Sequence, residues 1–443
     1  MRLPTRTAAA TSLAAVLIAG LAACGGGGSN TSAAPSSDTV ATAANDQSTH
    51  DGMNMENAAT TAGLKAMGTG NPFADVRTAA GHMPMSAKVM AAGIAKAAKI
   101  SGNSDSKAAD LRAQLTYLLT EHVYLAGVAV ATAYHAGLDS DAFKAAAAGL
   151  DTNSVDISKV VGSVAPDEEK GFLEAWRAHI GDFVTYAKGA KTGGAAGAKL
   201  KKTAVANLTA YAKSQGVFFQ KISGGALPAA AVQKDLMGHI LSLAAAVDSL
   251  AAGKVDTYEK LDMAAMHMAG SAQVLTTGIT KAAKIPGNPN DAASTLRANL
   301  TRMFTDHVYR AGIAVFTAYT AEGGLTGGAF KASAAALDAN SVEIAKAVGS
   351  VAGKANEKVF LEQWRSHITD FVNYAKGDAT GDQKLIDSSL VNLDGYRTAA
   401  GKFFDKITGG ALPADAIAAD LKGHIETLAG AIDSLKAALI PAS

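Results

Sequence analysis

From residue 73 onward, apolar side chains recur at three- and four-residue spacing in stretches long enough for helices of ~20–30 residues. Breaks rich in Gly, Pro, Ser and Asp separate the stretches: ISGNSDS at 100–106, AGLDSD at 136–141, VAPDEE at 164–169, KTGGAAG at 191–197, SGGALP at 223–228 and AAGK at 251–254. The pattern predicts six helices, over roughly 73–100, 107–136, 140–163, 166–189, 197–222 and 228–252. The cycle then restarts over 254–285. Short connections between long helices make antiparallel neighbours. The expected fold class is therefore all-α: two tandem homologous up-and-down bundles of about six helices each, at 73–253 and 254–443.

The second bundle is a rewriting of the first. LRAQLTYLLTEHVYLAG from Leu111 returns as LRANLTRMFTDHVYRAG from Leu296, and FLEAWRAHIGDFVTYAKG from Phe172 returns as FLEQWRSHITDFVNYAKG from Phe360. Surface positions differ, yet eight of the ten histidines fall in four matched pairs. His82, His122 and His239 match His267, His307 and His424 at one offset (307 − 122 = 185), and His179 matches His367 at 188 because the second copy has gained three residues.

On a helical wheel His122 lies within about 40° of Leu111, Leu115, Leu118, Ala126, Ala129 and Ala133, the centre of an apolar stripe. His307 is surrounded in the same way by Leu296, Leu300 and Met303. His179 flanks Phe172, Trp176 and Phe183; His239 flanks Leu236, Leu243 and Leu250; His82 neighbours Ala79, Ser86 and Gly93. Rise per residue places His82 and His122 at similar heights, ~25–27 Å from the end of the bundle that their loop closes. The expectation is that His82, His122, His179 and His239 converge in copy one, and His267, His307, His367 and His424 in copy two.

Carboxylates accompany these histidines. Glu121 and Asp306 adjoin the second-helix histidines, Asp182 and Asp370 follow the tryptophan-helix histidines by three residues, and Asp235 and Asp420 precede the sixth-helix histidines by four. Neutral imidazole with a carboxylate as ligand or orienting partner is the inventory of a metal centre inside a helical bundle. Copper or iron is the expected ion. Met53 and Met55 after His50, and Met83, Met85, Met263, Met266 and Met268 near histidines, add thioethers suited to Cu(I). The competing reading is a structural or protein-interaction module whose histidines form buried polar layers. A third is a di-metal oxidoreductase or a haem-binding bundle. Trp176, Trp364, Tyr186 and Tyr374 read as core with satisfied polar edges, and Arg112, Arg297, Arg177 and Arg365 as interhelical ion-pair partners. No nucleophile elbow, P-loop or dinucleotide fingerprint occurs, so no catalytic residue is assigned.

The start of the chain changes the picture of location. Arg2 and Arg6 precede an apolar run, Ala8–Ala23, too short to span a bilayer. Leu21-Ala22-Ala23-Cys24 resembles the lipobox of bacterial lipoproteins. That resemblance implies a signal peptide over 1–23, acylation of Cys24, and a lipid anchor holding the protein on the extracytoplasmic face of the cell membrane. Residues 24–70, rich in Gly, Ser, Thr, Ala and Asn, read as a disordered tether. With 40 basic and 39 acidic residues, charge gives no support to nucleic-acid binding.

Other resemblances are architectural. Hemerythrin-like and ferritin-like bundles also carry His and carboxylates inside helices, but no Glu-x-x-His occurs here, and Ala126 and Phe183 stand four residues after His122 and His179. No Cys-x-x-Cys-His for covalent haem occurs either. The EHVYLAG and WRAHIGDFVTY stretches resemble secreted bacterial helical domains, which implies a fold and a location but no activity. The quinone-forming tyrosine of copper amine oxidases sits between Asn and Asp or Glu; Asn373-Tyr374-Ala375 departs from this, and no amine oxidation is expected.

Overall fold

The computed structural model describes residues 63–440, and every element in it is helical. The expected signal segment, Cys24 and the His50–Met55 cluster lie outside the described residues. Copy one supplies α1 (Pro72–Gly81), α2 (Met83–Ala98), α3 (Lys107–Ala136), α4 (Asp141–Val164), α5 (Glu169–Thr192), α6 (Gly194–Ile222) and α7 (Ala229–Ala251). Copy two supplies α8 (Thr257–Ala282), α9 (Ala292–Thr320), α10 (Gly328–Ala352), α11 (Lys354–Thr380), α12 (Gln383–Thr408) and α13 (Ala414–Leu439).

Local chemistry sets the helix ends. Ser106, Ser140 and Asp291 cap α3, α4 and α9 by accepting from Ala109, Phe143 and Ser294 backbone N–H groups. Gly381 and Gly409 stop α11 and α12 in the left-handed region, which other residues enter at a cost. The first helix of copy one is split at His82, because Pro84 cannot donate to the carbonyl one turn back. Copy two has Ala269 at that place (84 + 185 = 269), and α8 runs unbroken.

The two copies exchange their first helices. The turn from α7 to α8 is only residues 252–256, so α8 folds back beside α7 and packs on α3 of copy one. The α1–α2 pair takes the equivalent place in copy two, against α9 and α13. There the chain hydrogen-bonds along α13, Met67 N–H to the Glu426 carbonyl at 2.8 Å and Gly70 N–H to Ser434 Oγ at 3.2 Å. Matched glycines seat the exchanged helices. A Cβ on Gly93 would lie 2.3 Å from Leu412, and one on Gly278 would lie 2.3 Å from Leu227.

An approximate two-fold axis relates the copies, with α3 and α9 side by side and running the same way. Ala108 N–H bonds Pro286 O and Ala293 N–H bonds Ser101 O at one end, each at 3.0 Å. Midway, the Tyr124 and Tyr309 rings stack with centroids 5.4 Å apart and planes 4° from parallel. One apolar core runs through both copies, from Leu119 and Phe172 to Phe360 and Ile425. "Module one" below means α3–α7 with α8; "module two" means α9–α13 with α1 and α2.

Candidate metal centre

In module one, α3 presents His122, α5 presents His179 and α7 presents His239, each 1–2 % exposed. In module two, α9, α11 and α13 present His307, His367 and His424, exposed by 2 %, 1 % and 5 %. The reason lies in the sequence: each histidine sits on the apolar stripe of its helix, so burying the stripe buries the ring. One ring nitrogen from each member of a triad lies within 4.8 Å of the others in both modules. His367 Nε2 and His307 Nε2 are 3.4 Å apart.

The same aromatic shell surrounds each triad. Trp176 lies 4.9 Å from His122 and 4.7 Å from His179; Trp364 lies 4.7 Å from both His307 and His367, centroid to centroid. Tyr211 stacks on His179 at 4.6 Å and Tyr396 on His367 at 4.5 Å. In module two a mostly apolar cavity of about 70 Å³ reaches His307, His424, Trp364 and Tyr396.

Burial, and then the neighbouring histidines, hold all six rings neutral. The pKa falls to about 3 for His179 and His307 and to about 4 for His424, and lies well below the ordinary histidine value for His122, His239 and His367. For His424 the second influence is His82. Neutral rings offer lone pairs, but the protein leaves much of their bonding capacity unused. The six Nδ1 atoms have no partner among the described residues, nor has His239 Nε2. Asn153 approaches His122 and the Trp176 carbonyl approaches His179, each favouring a protonated ring, but neither closes a hydrogen bond of normal geometry. The Trp176 and Trp364 indole N–H groups are also unpartnered, contrary to the expectation of satisfied edges. Each such buried group costs about 1–3 kcal/mol. Tyr186 and Tyr374 do donate, to Asp248 and Asp433.

The other expected ligands are placed elsewhere. Glu121 is fully buried but turns to the contact between modules, accepting from Arg77, Asn153, Tyr117 and Tyr309. Asp306 takes the matched place with Arg302 and Tyr124. Burial pushes its carboxyl up against the pull of Arg302. Asp182 and Asp370 face the next helix, accepting from Asn207 at 2.8 Å and Asn392 at 2.9 Å. No carboxylate belongs to either triad.

The fourth histidines change sides, because they ride on the exchanged helices. His267 joins module one, with Nε2 donating to the Asp235 carbonyl at 2.9 Å and lying 3.6 Å from its carboxylate. It is a third exposed, and stands outside the triad. His82 joins module two beside Asp420 and His424, and is exposed. The expected groups of four from a single copy are thus replaced by two buried triads, each flanked by a histidine from the other copy. Gly238 makes room for that flank: a Cβ there would lie 2.6 Å from His267 Cε1.

Asn153, whose counterpart Asn340 bonds the Met303 carbonyl as Asn153 bonds that of Leu118, and the pair Tyr211/Tyr396 belong with these sites and escape a search for ligand types. Both pairs recur between the copies (340 − 153 = 187; 396 − 211 = 185), and that recurrence was the available signal.

Three imidazoles converging without a carboxylate suit one borderline or soft transition-metal ion. Tetrahedral bonds of about 2.0–2.1 Å put ligand nitrogens about 3.3–3.4 Å apart, the separation already present between His307 and His367. Compared with protein-family models, with curated proteins and with solved structures, the chain matches none.

Proposed function

We propose that the protein binds one transition-metal ion per module on three imidazoles, His122, His179 and His239 in one and His307, His367 and His424 in the other. The observation that carries this reading is two superposable sets of buried, neutral, under-bonded rings at ligand spacing. Polar layers that only fix helix register would satisfy those nitrogens within the protein.

The donor set favours copper, carried as Cu(I), over iron. No anionic ligand compensates the ion, and the cost of burying charge grows as its square, so a monovalent ion is the least costly guest. A dinuclear iron centre would need the bridging carboxylates that here face other helices. Anchoring through Cys24 on the extracytoplasmic face is part of the same proposal, and assigns the protein to storage, sequestration or delivery of metal outside the membrane. Cys24→Ala should release it from membranes or block its processing; unchanged retention with normal processing removes the anchor.

Elemental analysis after anaerobic loading with Cu(I) and gel filtration should give two equivalents per chain. His122→Ala and His307→Ala should each remove one, and the double variant both. No uptake by a folded wild-type chain returns the triads to polar layers. Two equivalents in the double variant move the binding to the His50–Met55 stretch.

A further inference from the structure

A second, unrelated cavity lies where the C-terminal ends of α3 and α9 meet the α7–α8 turn. Its volume is about 460 Å³, within the range of small-molecule sites, about 300–1,000 Å³. The body is apolar, built by Val128, Ala131, Val247, Leu250, Ile313 and Phe316. The rim carries two exposed lysines, Lys191 and Lys254, with exposed His135 nearby. Among the described residues no Asp or Glu lines it, in a chain whose acids and bases nearly balance at 39 and 40.

The lining threonine hydroxyls are already spent, and Tyr134 donates to the Ala187 carbonyl. Thr257 donates to the Lys254 carbonyl, Thr317 to Ala314 and Thr320 to Phe316. Asp256, next to Lys254 in field, is held by Lys260 at 2.8 Å and by Ser249. Lys191 rests over the Tyr134 ring at 5.0 Å, at the mouth. The side-chain polar capacity left to a guest is therefore the two lysine ammonium groups, with the Tyr258 hydroxyl and His135 beside them, around an apolar body.

The approximate symmetry is broken here. Tyr258, at the mouth, stands where copy one has Phe73 (258 − 185 = 73), which is buried against Ala129 and Ala146. On that other side residues 64–70 also run along α13, whereas α7 is followed at once by its turn.

We infer that this cavity binds one anionic amphiphile per chain, an aliphatic body inside it and a carboxylate head, as in a fatty acid, at Lys191 and Lys254. The full chain, stripped of bound lipid, is titrated calorimetrically with dodecanoate below its micelle concentration, with dodecyl phosphate, dodecanol and dodecyltrimethylammonium in parallel. Dodecanoate should bind at one equivalent, whether or not metal is loaded. Lys191→Gln with Lys254→Gln should weaken it about tenfold or more, while dodecanol binding stays unchanged. Ala131→Trp, or Val247→Phe should the first variant not fold, should abolish both. Tighter binding of dodecyl phosphate reassigns the head to a phosphate within the same site. Two equivalents, equal binding of the cationic chain, or undiminished binding in a folded, cavity-filled variant overturns the inference. So does binding that appears only after residues 25–60 are deleted, since the chain itself then fills the space.

Discussion

At the residue scale the triads are held in a form that acid should attack first in the unfolded chain. A histidine in an unfolded chain titrates near 6.5, and the folded values are lower: about 3 for His179 and His307, about 4 for His424. As pH falls below about 6.5 the unfolded chain takes up protons that the folded triads refuse, so stability is full at neutral pH and declines toward those folded values. Urea unfolding of the metal-free protein, followed by circular dichroism, should give a midpoint that falls between about pH 6.5 and 4; a midpoint constant over that window would contradict the burial of the rings. His239 offers a sharper test, because both its ring nitrogens lack partners. His239→Leu should stabilise the metal-free chain by about 1–3 kcal/mol in urea unfolding while removing the module-one metal equivalent. A net loss of stability would mean that the ring is satisfied after all. The inward direction of these histidines was legible from helical periodicity alone, since Leu115, Leu118 and His122 share one stripe. The orphaned indoles of Trp176 and Trp364 were not, because whether a buried donor finds an acceptor depends on neighbouring helices, which a single helix's pattern does not contain.

The helices themselves were the most legible level. The expected span 107–136 is the observed α3, and most other ends lie within three residues of their Gly, Ser or Pro markers. The exception is the expected helix 73–100, which Pro84 splits. Which helix neighbours which was harder. The rule that short connections make antiparallel neighbours, applied to residues 252–256, already puts α8 against α7, and so His267 with His239. The boundary drawn at 253 obscured this. Charge partners depend on the same arrangement. Arg77, on an exchanged helix, reaches Glu121 at 3.2 Å on α3, and Arg310 on α9 pairs with Asp262 on exchanged α8. Glu121 therefore belongs to the joint between modules and not to the metal. Glu121→Ala should take the acceptor from Tyr117 and Tyr309, while Arg77 keeps Asp156, and destabilise the protein by about 1–3 kcal/mol, yet leave two metal equivalents per folded chain. Loss of one equivalent from a folded variant would restore Glu121 as a ligand.

For the whole molecule, the continuous core and the exchanged helices predict one cooperative unit. Calorimetry should give a single unfolding transition. Proteolysis within 252–256 should leave the two fragments associated in gel filtration, while residues 63–253 and 254–443 made separately should each fold poorly and recover helicity on mixing. Two resolved transitions, or fragments that separate freely after the cut, would argue for independent bundles. Duplication was plain from the sequence; the exchange left only one mark there, the shortness of the 252–256 turn, since either assignment of the first helix buries the same apolar stripe. It has a consequence for how such a chain arises. A gene encoding one copy would make a polypeptide that reaches this same arrangement by lending its first helix to a twin and borrowing the twin's in return. Joining two copies in tandem fixes that partnership inside one molecule. It also frees the halves to diverge, so that Arg77 faces Glu121 across one joint while Asp262, its counterpart, faces Arg310 across the other: opposite charge at matched positions, which a symmetric pair of identical chains cannot carry.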